Sequence, residues 1–180
     1  MKWPLTGAMC VVLVCGSAQA ASDHKGIETA GTAVAIALPV AAAGISLAHH
    51  GDWQGVGELA ESTALTVGTA LILKQIVHEQ RPDHSDFKSF PSDTAALAFA
   101  PANYLWSRYG WEYGVPAYAA ATFVGYSRVD AQKHHWYDVA ASAAIALGFN
   151  YAFVTPYHDH YQFTASADPN EIGVHFQMNW

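Results

Sequence analysis

Five stretches of this chain carry no Asp, Glu, Lys or Arg: Thr29 to His49, Ala64 to Leu73, Ala95 to Trp106, Val115 to Tyr126 and Val139 to Phe153. Alanine and other small residues are frequent in them. Uncharged runs of this length are longer than ordinary strands and must be buried in protein or lipid, so they read as helices. Small side chains let helix axes approach closely. The expected fold class is therefore all-α, a compact bundle of about five core helices. The first helix, Thr29 to His49, is broken at Pro39. The second runs from about Gln54 to Gln80, where Pro82 disfavours helical geometry in the residue before it. The third starts at Pro91-Ser92-Asp93, where Ser92 or Asp93 can cap free N–H groups, and continues to about Trp106. A fourth covers Tyr113 to Tyr126, after Tyr109-Gly110. The fifth runs from His134 to Phe153, and Pro156 stops it.

Charge is scarce. Charged residues make up 13% of the 180-residue chain against 52% hydrophobic, and the formal net charge is −7. No basic run or stripe occurs, so nucleic acid is not an expected partner. The hydrophobic excess points to deeply buried helices or to membrane association. Thr29 to His49 is just long enough to cross a bilayer, and its small side chains suit a core helix equally well.

Residues 1–20 read as a signal peptide. Lys2 supplies the positive start, Pro4 to Cys15 a short apolar run, and Ala18-Gln19-Ala20 a small-x-small cleavage pattern. An uncleaved anchor is the alternative. Both cysteines, Cys10 and Cys15, fall in this segment, so a processed chain has no thiol chemistry. The expected location is the periplasm, or the inner membrane with a periplasm-facing active site. Residues 21–157 form the expected helical domain, and 158–180 a short C-terminal β-hairpin. In that tail Ile172, Val174, Phe176, Met178 and Trp180 alternate with Gly173, His175, Gln177 and Asn179, a period-two strand pattern. Tyr161 to Ala165 is the partner strand and Asp168-Pro169-Asn170 the turn.

Only eight residues are Lys or Arg, yet Lys74, Arg81 and Arg128 all lie in short polar stretches next to helix ends. Such an allocation suggests a compact anion pocket. The two arginines offer planar forks and the lysine a mobile charge, while the N–H groups at the Ser92-Asp93-Thr94 helix start form a dipole-aided cradle. Lys74 and Arg81, seven apart on one helix, would share a face. His134 and Asp138 are one turn apart, so the carboxylate can hold one ring nitrogen and leave the other as a nucleophile. The quieter readings are a snorkelling pair of cations, a capping Arg128 and an ordinary i,i+4 pair. Metal ligation by His134, His135, His78, His84 or the His158-Asp159-His160 stretch is not expected. No H-E-x-x-H or similar helical pair occurs.

These residues resemble the type-2 phosphatidic acid phosphatases, which share a helical core with vanadium haloperoxidases and bacterial class A acid phosphatases. The family's motifs are K-x6-R-P, P-S-G-H and S-R-x5-H-x3-D. The first matches at Lys74, Arg81 and Pro82, and the third at Ser127, Arg128, His134 and Asp138. The resemblance covers about Ala30 to Tyr157. It implies a phosphatase for phosphate monoesters, lipid phosphates among them, that needs no metal and no cofactor. His134 would be the nucleophile, Asp138 its orienting group, and Lys74, Arg81, Ser92 and Arg128 the phosphate ligands. A vanadate-dependent peroxidase is a more distant expectation, since those relatives tend to be larger.

The second motif departs from the pattern. Pro91-Ser92 match, but Asp93 stands at the glycine and Thr94 at the histidine. In the family that histidine protonates the leaving oxygen, which a threonine hydroxyl cannot do near neutral pH. Three readings stay open. Asp93, or His84 nearby, supplies the proton. The substrates have good leaving groups. Or the chain binds phosphate or lipid without turnover.

Overall fold

In a computed structural model of the chain, residues 25–49 and 51–157 are described with their side chains, and His24, 161–168 and 171–178 by backbone alone. The expected signal peptide lies outside the described residues. The five helices are α1 (His24–Ala48), α2 (Trp53–Ile76), α3 (Asp93–Tyr109), α4 (Trp111–Asp130) and α5 (Trp136–Phe153).

Helix α3 is the central element. It is the shortest of the five, contacts all four others and is buried along most of its length. The core around it is largely alanine: Ala95, Ala98 and Ala102 of α3 meet Ala35 and Ala42 of α1, Ala117 and Ala121 of α4 and Ala146 of α5, with Leu38, Leu59, Phe99, Leu105, Val124 and Val139 filling between. Small side chains on facing helices bring the axes close, as the uncharged runs required. Gly31 shows how tight this is. A Cβ there would lie 1.9 Å from Ser127 Oγ and 3.3 Å from an Arg128 nitrogen.

The helix limits differ in part from the sequence expectation: α1 begins at His24 and not at Thr29, and α5 at Trp136 and not at His134, with His135 as its N-cap. Helix α1 continues through Pro39 without a break. Helices α3 and α4 both run further than expected and are separated by Gly110 alone, whose φ of 89° is easily reached only by glycine. Helix α2 ends at Ile76, not near Gln80. Val77 is extended, Glu79 bridges to Lys88, and the Arg81 N–H donates to the Asp86 carbonyl at 3.0 Å. The backbone groups after Ile76 thus find partners in the following loop. Lys74 and Arg81 do not share a helical face: one is helical, the other belongs to the loop.

The ends of the bundle are polar. At one end Arg108 donates to Asp52 through Nε (2.6 Å) and Nη2 (2.7 Å), and to Glu58 and the Thr155 carbonyl through Nη1, each at 2.8 Å. This clamp ties the start of α2, the end of α3 and the segment after α5. Between the ends, Ile36, Val40, Leu71, Ile72, Val115, Phe123 and Leu147 are exposed. Lys25–Ala48 and Trp53–Ile76 are both long and apolar enough to cross a membrane.

Candidate active site

The opposite end gathers the start of α1, the end of α2, the loop before α3, the starts of α3 and α5, and the end of α4. Every residue singled out from the motifs lies here. Ser92 is the N-cap of α3, its Oγ accepting from the Ala95 N–H at 3.3 Å. It is fully buried, and its carbonyl accepts from Ser142 Oγ of α5 at 2.7 Å, which fixes the two helix starts side by side.

His134 is 3% exposed and sits just before α5. Its Nδ1 lies 2.7 Å from the Ser89 carbonyl oxygen and 3.6 Å from Asp138 Oδ2. The closer partner can only accept, so Nδ1 carries the proton and Nε2 keeps its lone pair. The ring's nearest partner is thus the Ser89 carbonyl, with the Asp138 carboxylate that the sequence set beside it 3.6 Å away. Asp138 is wholly buried, and its Oδ2 accepts from Ser89 Oγ at 2.5 Å and the His135 N–H at 2.8 Å. Burial pushes this carboxyl up, but the His134 ring, the Ser89 hydroxyl and the His135 N–H outweigh it and hold it below the usual carboxylate range. Ser89 therefore touches both members of the pair, and no motif announced it. Its only sequence signal is that it stands just ahead of Phe90-Pro91.

The cations are present, and each has a carboxylate partner. Lys74 Nζ, 7% exposed, donates to Asp93 Oδ1 at 2.8 Å. Arg81 Nε donates to Asp86 Oδ1 at 2.7 Å. Arg128 lies 3.6 Å from Glu28 Oε1 through Nη1, and its Nη2 donates to the Glu28 carbonyl. Burial lowers the Arg128 pKa while Glu28 and Asp93 pull it back up; a guanidinium starts high enough to stay charged.

Asp93 does not fit the role of proton donor. Burial raises its carboxyl, but the hydrogen bond and charge of Lys74, the His134 ring whenever it is protonated and its own N–H together bring it below the ordinary value. An ionised carboxylate has no proton to give. The other candidate acid, His84, is exposed in the loop with φ of 58°. Thr94 is half-buried in the first turn of α3. Glu79, His135 and Asp138 each place one potential ligand atom within 4.8 Å of the others, a grouping that motif spacing did not reveal.

A buried histidine held by a backbone carbonyl and backed by a carboxylate, with a lysine–aspartate pair at the neighbouring helix start, lies at one end of an all-helical bundle. Residues 84–161 match the PAP2 superfamily model. The lipid A 4'-phosphatase of Helicobacter pylori (strain J99) is 34% identical over 131 residues, 67% of this chain and 66% of that protein. The lipid A 1-phosphatase of Porphyromonas gingivalis is 38% identical over 71 residues, 37% of this chain and 16% of that protein. The chain thus spans just under two thirds of the first relative and a small part of the second. The crystal structure of Aquifex aeolicus LpxE shares the fold, with a TM-score of 0.54 at 20% identity over 72% of this chain and 90% of that one. The chain belongs to the PAP2 superfamily, the type-2 phosphatidic acid phosphatase group.

Proposed function

We propose that this chain is a membrane-embedded phosphoric monoester hydrolase acting on a lipid phosphate through a phosphohistidine intermediate. The observation that carries the reading is His134. Its Nδ1–H is committed to the Ser89 carbonyl at 2.7 Å, which leaves the Nε2 lone pair for attack. In the first step Nε2 bonds to phosphorus and the bond to the leaving oxygen breaks, that oxygen taking a proton from water. In the second step water attacks phosphorus, giving its proton to the hydroxide left by the first step, and the P–N bond breaks with its electron pair returning to Nε2, so the imidazole regains its starting tautomer. Asp138 stabilises the positive ring of the intermediate from behind, and Lys74, Arg81, Ser92 and Arg128 bind the phosphoryl oxygens. Two relatives are lipid A phosphatases by name, which supports a lipid phosphate as the substrate class.

The test is turnover on a panel of lipid and aryl phosphates, with protein quenched in alkaline denaturant, in which a phosphoramidate survives, examined for phosphate on His134. Turnover without labelled His134 rejects the covalent step. A second reading, a phosphate- or lipid-binding relative without turnover, is favoured by the Lys74–Asp93 ion pair and the missing proton donor. It stands if aryl phosphates with good leaving groups are not hydrolysed either.

The exposed apolar waist and the two long apolar helices support residence in a membrane. The periplasm-facing orientation rests on the export-signal reading. An impermeant maleimide on Ser85→Cys at the site end tests it, and protection in intact spheroplasts rejects it. In the same reading residues 21–157 are the helical domain and 158–180 a short C-terminal hairpin.

A further inference from the structure

We propose that Asp93 is an internal competitor for the anion site, its carboxylate occupying donors that an incoming phosphate needs. The inference rests on the preceding assignment of Lys74 and the α3 start as phosphate ligands. Two donors are at issue. The Lys74 ammonium, almost wholly buried, gives a hydrogen bond to Asp93 Oδ1 at 2.8 Å. The other is the set of free N–H groups at the positive end of α3, whose first residue is Asp93. The carboxylate's charge reaches further, acting on His134 and on Arg128. Asp93 is therefore held on the Lys74 ammonium at the first helical position of α3, where a phosphoryl oxygen would sit.

The family motif carries glycine at this position, and glycine has no side chain to compete. A phosphate entering beside Asp93 must displace the carboxylate from Lys74 or accept a like charge within a few ångströms. Two like charges that close in a partly buried site repel each other, so a retained carboxylate weakens phosphate binding. Displacement also requires the carboxylate to find water, and its partial exposure allows that. The two outer ion pairs, Arg81–Asp86 and Arg128–Glu28, lower the net charge of the same end but do not take up donors of the α3 start.

The deciding experiment is calorimetric titration of inorganic phosphate into the detergent-solubilised full chain at pH 8, a measurement that does not depend on turnover. Asp93→Asn keeps the shape and removes the charge; Asp93→Gly removes the side chain. Both are expected to bind phosphate at least about tenfold more tightly than the parent, while Asp86→Asn changes binding less. Unchanged binding in both Asp93 variants overturns the proposal. Weaker binding in both also overturns it, since Asp93 would then be holding Lys74 in position for the anion. Absence of binding in all of the proteins overturns it too. A parallel turnover assay separates the two readings. Tighter binding with no hydrolysis by the parent leaves this inference standing and removes the phosphatase.

Discussion

His134 is a nucleophile candidate because a carbonyl oxygen, not a carboxylate, is its nearest partner. Two substitutions separate the parts of this arrangement. His134→Ala is expected to reduce aryl phosphate hydrolysis at least about a thousandfold, since no other group here replaces the nucleophile. Ser89→Ala keeps the carbonyl that orients the ring but removes the hydroxyl from Asp138. It is expected to cost about 1 kcal/mol in denaturant unfolding and to leave turnover within about tenfold of the parent. A thousandfold loss in Ser89→Ala would show that the hydroxyl, not the carbonyl, governs the ring. The motif spacing made His134, Asp138, Arg128 and Lys74 legible, because their chemistry depends on residue type at fixed helix ends. Ser89 escaped notice because its main contribution is a backbone oxygen that any residue would carry. Asp93 was legible as a departure from the pattern, but its partner was not, since Lys74 meets it only through the fold.

Helix packing governs how the site is assembled. The five uncharged runs announced five helices, and the alanine-rich core is what they produce. The ends were harder to read, for a physical reason: after Ile76 the backbone finds partners in a loop that doubles back, and such pairing leaves no local pattern. The close approach of α1 to α4 gives a sharp test. Gly31→Val places its Cβ 1.9 Å from the position of Ser127 Oγ, so the helices must separate, and a loss of about 1–3 kcal/mol is expected by thermal or denaturant unfolding. Because Arg128 follows Ser127, anion affinity should fall in the same variant. Unaltered stability would mean that α1 is free to move away from α4.

For the molecule as a whole, the far-end clamp is the principal buried ionic feature. The Arg108 and Asp52 side chains are 4% and 5% exposed. Arg108→Met would strand two carboxylates, and about 3–5 kcal/mol of stability should be lost. Burial alone would raise the Asp52 carboxyl, but Arg108, Tyr109 and the Gly55 N–H bring it down to about 2. A carboxyl depressed in the folded state contributes stability that is complete above its unfolded value near 4 and is lost as pH falls toward 2. Unfolding followed between pH 5 and 2 should show that decline, and Asp52→Asn should flatten it. The described ion pairs all sit at one end or the other, and the girth between them is hydrocarbon. Outward side chains such as Val40 and Leu147 can therefore drift among residues of like bulk, matching bilayers of different thickness, without disturbing the chemistry at either pole.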